Sequence, residues 1–174
     1  KADLDHLLAT SGPLDLLASI CGVTADVWQT FHAHPTPNGF DKIVRQLTQL
    51  KEAGFKAKHV QVINKDNVHQ LVEMVRFGAR FPAKRINFKL ASLTHGTEQV
   101  ALSEAQRTQL REVWIPQAMT EAEKLGIPTD LSAFATQVTS GSHRTAPIED
   151  TGCFMGYLYS RVTVEEELLF CCNT

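Results

Sequence analysis

Three of the four cysteines lie near the end of the sequence, at Cys153, Cys171 and Cys172. The residues between them are typical of a β-hairpin: a stretch rich in Tyr, Val and Thr over residues 156–164, three glutamates, and a short apolar run over residues 168–170. A hairpin of this kind would bring the thiols of Cys153 and Cys171 together. Two thiolates at the end of a hairpin are half of a four-thiolate metal site.

The register of this hairpin decides which of the two adjacent cysteines faces Cys153. A symmetric hairpin that turns within residues 165–167 pairs Thr163 or Val164 with Leu168. Because side chains alternate between the two faces of a strand, the adjacent cysteines point in opposite directions, and only one of them faces Cys153. The alternative to a metal site is a plain core in which cysteine acts as a small apolar residue, since the spaced CxxC pairs of ordinary zinc sites are absent.

The composition excludes several classes of protein. The formal net charge of -2 gives no electrostatic case for binding nucleic acid or an anionic membrane surface. No apolar run approaches membrane-spanning length, and the first residues lack the plan of a signal peptide. Four cysteines are too few for a disulfide scaffold, so we expect a cytoplasmic protein. The abrupt start at Lys1 and the end shortly after Cys172 lead us to expect a fragment of a longer chain.

Strands and helices alternate along most of the chain. The predicted strands are residues 14–20, 55–63 and 85–91. The predicted helices are residues 3–10, 25–32, 40–53, 68–80, 103–125 and 131–137. This alternation is typical of a parallel sheet with right-handed crossovers. We therefore predict an α/β fold: a partial (β/α) barrel of about three parallel strand–helix units, followed by a long helix and a C-terminal β-hairpin.

Local signals place the buried faces and the ends of these helices. The inward face of the helix over residues 40–53 is predicted to carry Phe40, Ile43, Val44, Leu47 and Leu50. Four residues are expected to begin helices by capping them: Thr24, Asn67, Ser103 and Asp130. Two glycines are expected to end helices, Gly54 and Gly126. Pro116 lies inside the long helix and predicts a kink there.

Two parts of the sequence resemble one enzyme family. Ala18-Ser19-Ile20, the helix that begins at Phe40, and the segment from Val62 to Asn67 resemble the second half of a radical S-adenosylmethionine enzyme core. The end of the chain resembles the start of the SPASM or twitch extension that follows this core in many members. Its family pattern is a cysteine, a glycine–aromatic strand, a turn, a second strand and a final cysteine or pair of cysteines.

The resemblance implies an oxidoreductase that abstracts a substrate hydrogen through a 5′-deoxyadenosyl radical made from S-adenosylmethionine. It implies that Cys153 and Cys171, rather than Cys172, help to hold an auxiliary [4Fe–4S] cluster. It also implies that Ser19 and Asn64, which end two strands, contact S-adenosylmethionine. A buried hydroxyl bonded to backbone, for Ser19, and a turn residue, for Asn64, are the alternatives. The implied partners are a reductant such as flavodoxin or ferredoxin and a substrate that is a peptide or a small metabolite.

The chain departs from the family in its missing CxxxCxxC motif, which binds the cluster that cleaves S-adenosylmethionine. We therefore expect the isolated chain to be inactive. The resemblance divides the chain into the barrel half over residues 1–126, a helix and linker over residues 127–151, and the start of the iron–sulfur hairpin over residues 152–174. The alternative function is a small cytoplasmic α/β binding module with a structural zinc or no metal.

Overall fold

A computed structural model describes residues 16–31, 38–93 and 96–140, together with two short strand segments, residues 161–162 and 168–169. The chain divides into two compact units, residues 1–143 and residues 144–174. The first unit contains the sheet and the helices. No helix among the described residues is both long and apolar enough to cross a membrane.

The first unit is built on three parallel strands: β1 (Leu16–Ser19), β2 (Ala57–Ile63) and β3 (Arg85–Leu90). Their order across the sheet is β1-β2-β3, so neighbours in sequence are neighbours in space. The prediction of a parallel α/β sheet is confirmed for this part of the chain.

The described residues form six α-helices: α1 (Ala25–Thr30), α2 (Gly39–Glu52), α3 (Leu71–Arg80), α4 (Glu104–Gln109), α5 (Ile115–Leu125) and α6 (Leu131–Ser140). A short 3₁₀ helix, Val68–Gln70, leads into α3, and a second one, Glu98–Val100, precedes α4. A π-helical turn, Leu110–Trp114, joins α4 to α5. The predicted helix over residues 103–125 therefore forms as one run with a wider turn in its middle.

That π-helical turn is how the helix accommodates Pro116. Proline has no N–H and clashes with the carbonyl one turn earlier in a regular helix. Here the Ile115 N–H bonds to the Leu110 carbonyl, five residues back, which widens the helix just before the proline. The predicted start of the run is confirmed, because Ser103 and Gln106 form a reciprocal capping box. Its predicted end is confirmed by Gly126, which has a φ of 65°.

The helices cover one face of the sheet. Alternate residues of β2 are buried on that face, and the residues between them are only half-buried. The predicted inward face of α2 is confirmed, because its apolar residues pack against Ile20, Phe77 and Phe81. A second cluster joins Ile86 and Phe88 of β3 to α3, α5 and α6. Burial of these apolar faces is what holds the helices on the sheet.

The chain touches the free side of β3 once more before α6. Thr129 forms a parallel bridge with Ile86, and the Ile86 N–H donates to the Pro128 carbonyl at 3.0 Å. Asp130 then accepts the Phe88 N–H on its carboxylate at 2.8 Å. The next helix begins directly after Asp130, as predicted, and the Asp130 backbone carbonyl accepts the Phe134 N–H at 2.9 Å, while the carboxylate takes the place of a strand carbonyl at the sheet. Burial raises the pKa of Asp130, and the Phe88 N–H partly offsets that rise.

The described part of the second unit is a two-stranded antiparallel pair, β4 (Arg161–Val162) and β5 (Leu168–Leu169). Val162 is opposite Leu168 and Arg161 is opposite Leu169. The predicted pairing of Thr163 or Val164 with Leu168 is therefore wrong by one or two residues. All three hairpin cysteines lie outside the described residues.

Candidate functional site

The side chain of Asn67 joins the carboxyl ends of β1 and β2. Its Nδ2 atom donates to the carbonyls of Cys21, at 2.9 Å, and Val62, at 2.7 Å. Its Oδ1 atom accepts the Asn64 N–H at 2.9 Å. Asn67 is fully buried, so water cannot readily take over its hydrogen bonds to these three backbone groups. The predicted capping role is wrong: the side chain makes no cap hydrogen bond and instead holds two strand ends together.

Gln70 holds the loop after β1 in the same way. Its Oε1 atom accepts the Val23 N–H at 3.0 Å, and its Nε2 atom donates to Thr24 Oγ1 at 2.8 Å. Gln70 follows Asn67 by one turn of a 3₁₀ helix, in which residues three apart lie above one another. Both amides therefore reach the same loop. The predicted side-chain cap by Thr24 is not formed, because α1 has no such hydrogen bond.

Asn64 directly follows β2 and is 6% exposed. Its Oδ1 atom accepts the Asp66 N–H at 2.8 Å, which is the turn geometry that asparagine favours. Its Nδ2 atom makes no hydrogen bond with a described residue. Asn64 therefore stabilises the turn through Oδ1, while its Nδ2 atom is a donor without a partner among the described residues.

Ser19 ends β1, but it does not lie beside Asn64. It is exposed and pairs in register with Val60, four residues before Asn64. At about 3.3 Å per residue this offset is about 13 Å along the strands. Ser19 Oγ lies 3.9 Å from Cys21 Sγ. The two predicted cofactor-binding residues therefore lie at different positions along the strand direction.

Cys21 is the one cysteine that the described residues include, and it is half-buried. Burial raises the pKa of its thiol, and the hydrogen bond with Ser19 lowers it by less. The thiol is therefore protonated near neutral pH and is a poor metal ligand. No group of three or more potential metal ligands occurs among the residues that the structure describes.

His59 and Gln61 are buried polar residues on the opposite, helix-covered face of β2. Both residues are 0% exposed, and neither has a hydrogen-bond partner among the described residues for either of its side-chain polar atoms. The His59 ring lies 6.3 Å from the Phe77 ring, between centroids. Burial lowers the pKa of His59 to about 4, so the imidazole is neutral. The burial of these two side chains could not be predicted from the sequence, since alternation along the strand does not distinguish a buried face from an open one.

A larger groove, of about 400 Å³, lies between α3 and α5 on the outside of the helices. Its cationic residue, Arg76, donates to Glu121 at 3.0 Å and to Glu73 at 3.1 Å. The positive charge in this groove is already paired. The free polar groups at the carboxyl ends of the strands are the better candidate for binding chemistry, because ligands of α/β sheets bind there.

Comparison with models of protein families finds no match for the chain, and comparison with curated protein sequences finds no match either.

Proposed function

We propose that the chain is the second half of a radical S-adenosylmethionine barrel followed by the start of a SPASM or twitch extension. The protein would use S-adenosylmethionine to make a 5′-deoxyadenosyl radical that abstracts a hydrogen from a peptide or small metabolite. A reductant such as flavodoxin or ferredoxin would supply the electron, and the protein would work in the cytoplasm.

The one-sided parallel sheet is the observation that carries this proposal. Parallel sheets normally have both faces covered. In the part of the chain that the structure describes, helices cover one face, while Leu17 on β1 remains 66% exposed. A sheet of this kind is expected of an incomplete barrel, whose open face would be lined by further strands.

The arrangement of the strand ends supports the proposed cofactor site. The Asn64 amide donor has no partner there among the described residues, and the exposed hydroxyl of Ser19 lies on the neighbouring strand, about 13 Å away along the strand direction. These groups suit the hydroxyl and carboxylate groups of S-adenosylmethionine. Asn67 and Gln70 would act as positioning residues, because they fix the two loops without a free polar atom. Cys153 and Cys171 would bind the auxiliary cluster, which lies in the second unit.

The cysteines give the direct test. In a protein extended beyond Thr174, Cys153→Ala and Cys171→Ala should each lower the iron and acid-labile sulfide content after anaerobic reconstitution. Loss of one thiolate ligand removes a covalent contact to the cluster. Cys172→Ala is the matched control and should leave both quantities nearly unchanged, since adjacent residues point to opposite faces of a strand.

Two results would count against this assignment. If Cys172→Ala alone removes the cluster, the facing of the second strand is inverted, as a register shift of one residue would produce. If none of the three substitutions changes the iron content, the hairpin holds no cluster, and zinc analysis of the same samples would then test the binding-module alternative.

A further inference from the structure

A small depression opens between the carboxyl ends of β2 and β3, and two polar side chains line it. Asn64 comes from the end of β2, and Arg107 comes from α4. The remaining wall is mostly apolar and includes Leu90, Val100 and Leu102. This is the edge of the sheet at which ligands of α/β folds bind.

Arg107 is half-buried, and the described residues offer it no anionic partner. Its guanidinium makes no ion pair and no hydrogen bond with any residue that the structure describes, and only its backbone N–H is engaged, by the Ser103 carbonyl. Arg76 shows the contrast, because it is more exposed and yet pairs with two glutamates. A guanidinium that pairs with no described carboxylate is available to bind an anion.

Asn64 contributes a second donor. Its Oδ1 atom is taken by the Asp66 N–H, and its backbone carbonyl accepts the Val68 N–H at 3.1 Å. Its Nδ2 atom is the side-chain atom that remains. Both polar side chains of the depression can therefore donate, and one carries a positive charge. Such a set selects a negatively charged acceptor.

The size of the depression limits what enters it. Its volume of about 10 Å³ admits about one water molecule or one ligand oxygen. A whole small molecule does not fit. The depression can take one end of a ligand while the rest of the ligand lies above the strand ends. The depression admits one oxygen of a carboxylate, and the planar shape of that group matches the fork of an arginine better than a bulkier phosphate does.

We infer that Arg107 and Asn64 bind the carboxylate of a small molecule at the carboxyl ends of β2 and β3. The inference does not depend on radical chemistry, because it uses only these two side chains. If the proposed function also holds, the carboxylate belongs either to S-adenosylmethionine or to the substrate.

The test is an NMR titration of the isotope-labelled chain with sodium acetate, against sodium chloride at equal ionic strength. Acetate should shift the Asn64 side-chain amide and the Arg107 Nε–H signals along one saturable curve, and chloride should not. Arg107→Gln should weaken acetate binding at least about tenfold, since it removes the charge and the bidentate donors. Arg107→Lys, which keeps the charge without the fork, should fall between the two.

Arg111→Gln is the matched control, because Arg111 lies one turn further along the same helical run, donates to Thr108 Oγ1 at 3.4 Å, and does not line the depression. This variant should bind acetate as the unchanged protein does. Equal acetate affinity in Arg107→Gln and the unchanged protein, with both spectra showing a folded chain, would overturn the inference. So would shifts that grow linearly with acetate and chloride alike.

A second titration distinguishes whether the carboxylate belongs to S-adenosylmethionine or to the substrate. If S-adenosylmethionine binds more tightly than its decarboxylated form, and Arg107→Gln abolishes this difference in affinity, then the cofactor carboxylate occupies the site. Acetate that still binds in the presence of saturating S-adenosylmethionine places a second molecule there.

Discussion

Replacing Asn67 with alanine is expected to lower the free energy of unfolding by about 3–5 kcal/mol. The substitution leaves two carbonyls, those of Cys21 and Val62, and the Asn64 N–H without their partner. Each buried unsatisfied group costs about 1–3 kcal/mol. Asn67 is 0% exposed, so water does not readily take its place.

Chemical unfolding in urea measures this loss, and Asn64→Ala is the matched control. Asn64 lies three residues earlier, and its side chain makes one hydrogen bond with the described residues, from the Asp66 N–H. Its replacement should cost about 1 kcal/mol. If Asn67→Ala loses no more stability than Asn64→Ala, then Asn67 does not join the two strand ends in solution.

Acid is expected to destabilise the first unit through His59. Burial lowers the pKa of this histidine to about 4 in the folded chain, against an ordinary value of about 6.5. The unfolded chain therefore binds the proton more readily at pH values between these two. The stability that the neutral imidazole contributes is complete above about pH 6.5 and is lost progressively as the pH falls toward 4. The total loss from this one group is about 3 kcal/mol.

The measurement is the free energy of unfolding at several pH values for the unchanged protein and for His59→Leu. Carboxylates also titrate near pH 4, so the difference between the two proteins carries the result. That difference should change by about 3 kcal/mol in favour of His59→Leu as the pH falls from 6.5 to 4. A constant difference between His59→Leu and the unchanged protein would show that His59 is accessible to protons in the fold.

The regular features of the fold could be predicted from the sequence because they repeat. The apolar spacing in α2 identifies its buried face without reference to the rest of the chain. Ser103 and Gln106 identify the start of α4, since both partners of a capping box lie within one turn. Parallel pairing follows from the alternation of strands with helices.

Two residues that were expected to cap helices make side-chain contacts with other parts of the chain. Asn67 and Asp130 precede helices, where asparagine and aspartate commonly cap, but their side chains bond to other backbone segments. The choice between a cap and such a contact depends on what packs alongside, which no local pattern contains. The prediction of the hairpin register was wrong because the three glutamates do not determine how many residues separate the two strands.

The candidate site was predicted in part. Asn64 was identified from its position at a strand end, and it supplies a free donor there. Arg107 was missed, because it comes from a helix that is distant in sequence and carries no motif. His59 and Gln61 were missed as a buried pair, since a polar residue on an alternating strand is ordinarily assigned to the open face.

The central claim is tested most directly by 5′-deoxyadenosine release from the protein of the complete reading frame. The protein would be reconstituted with iron and sulfide, reduced anaerobically and supplied with S-adenosylmethionine. We expect the complete protein to release 5′-deoxyadenosine, and the 174-residue chain treated identically to release none above a no-protein control, because it lacks CxxxCxxC. A complete protein that carries no such motif and releases none would contradict the account, as would turnover by the 174-residue chain alone.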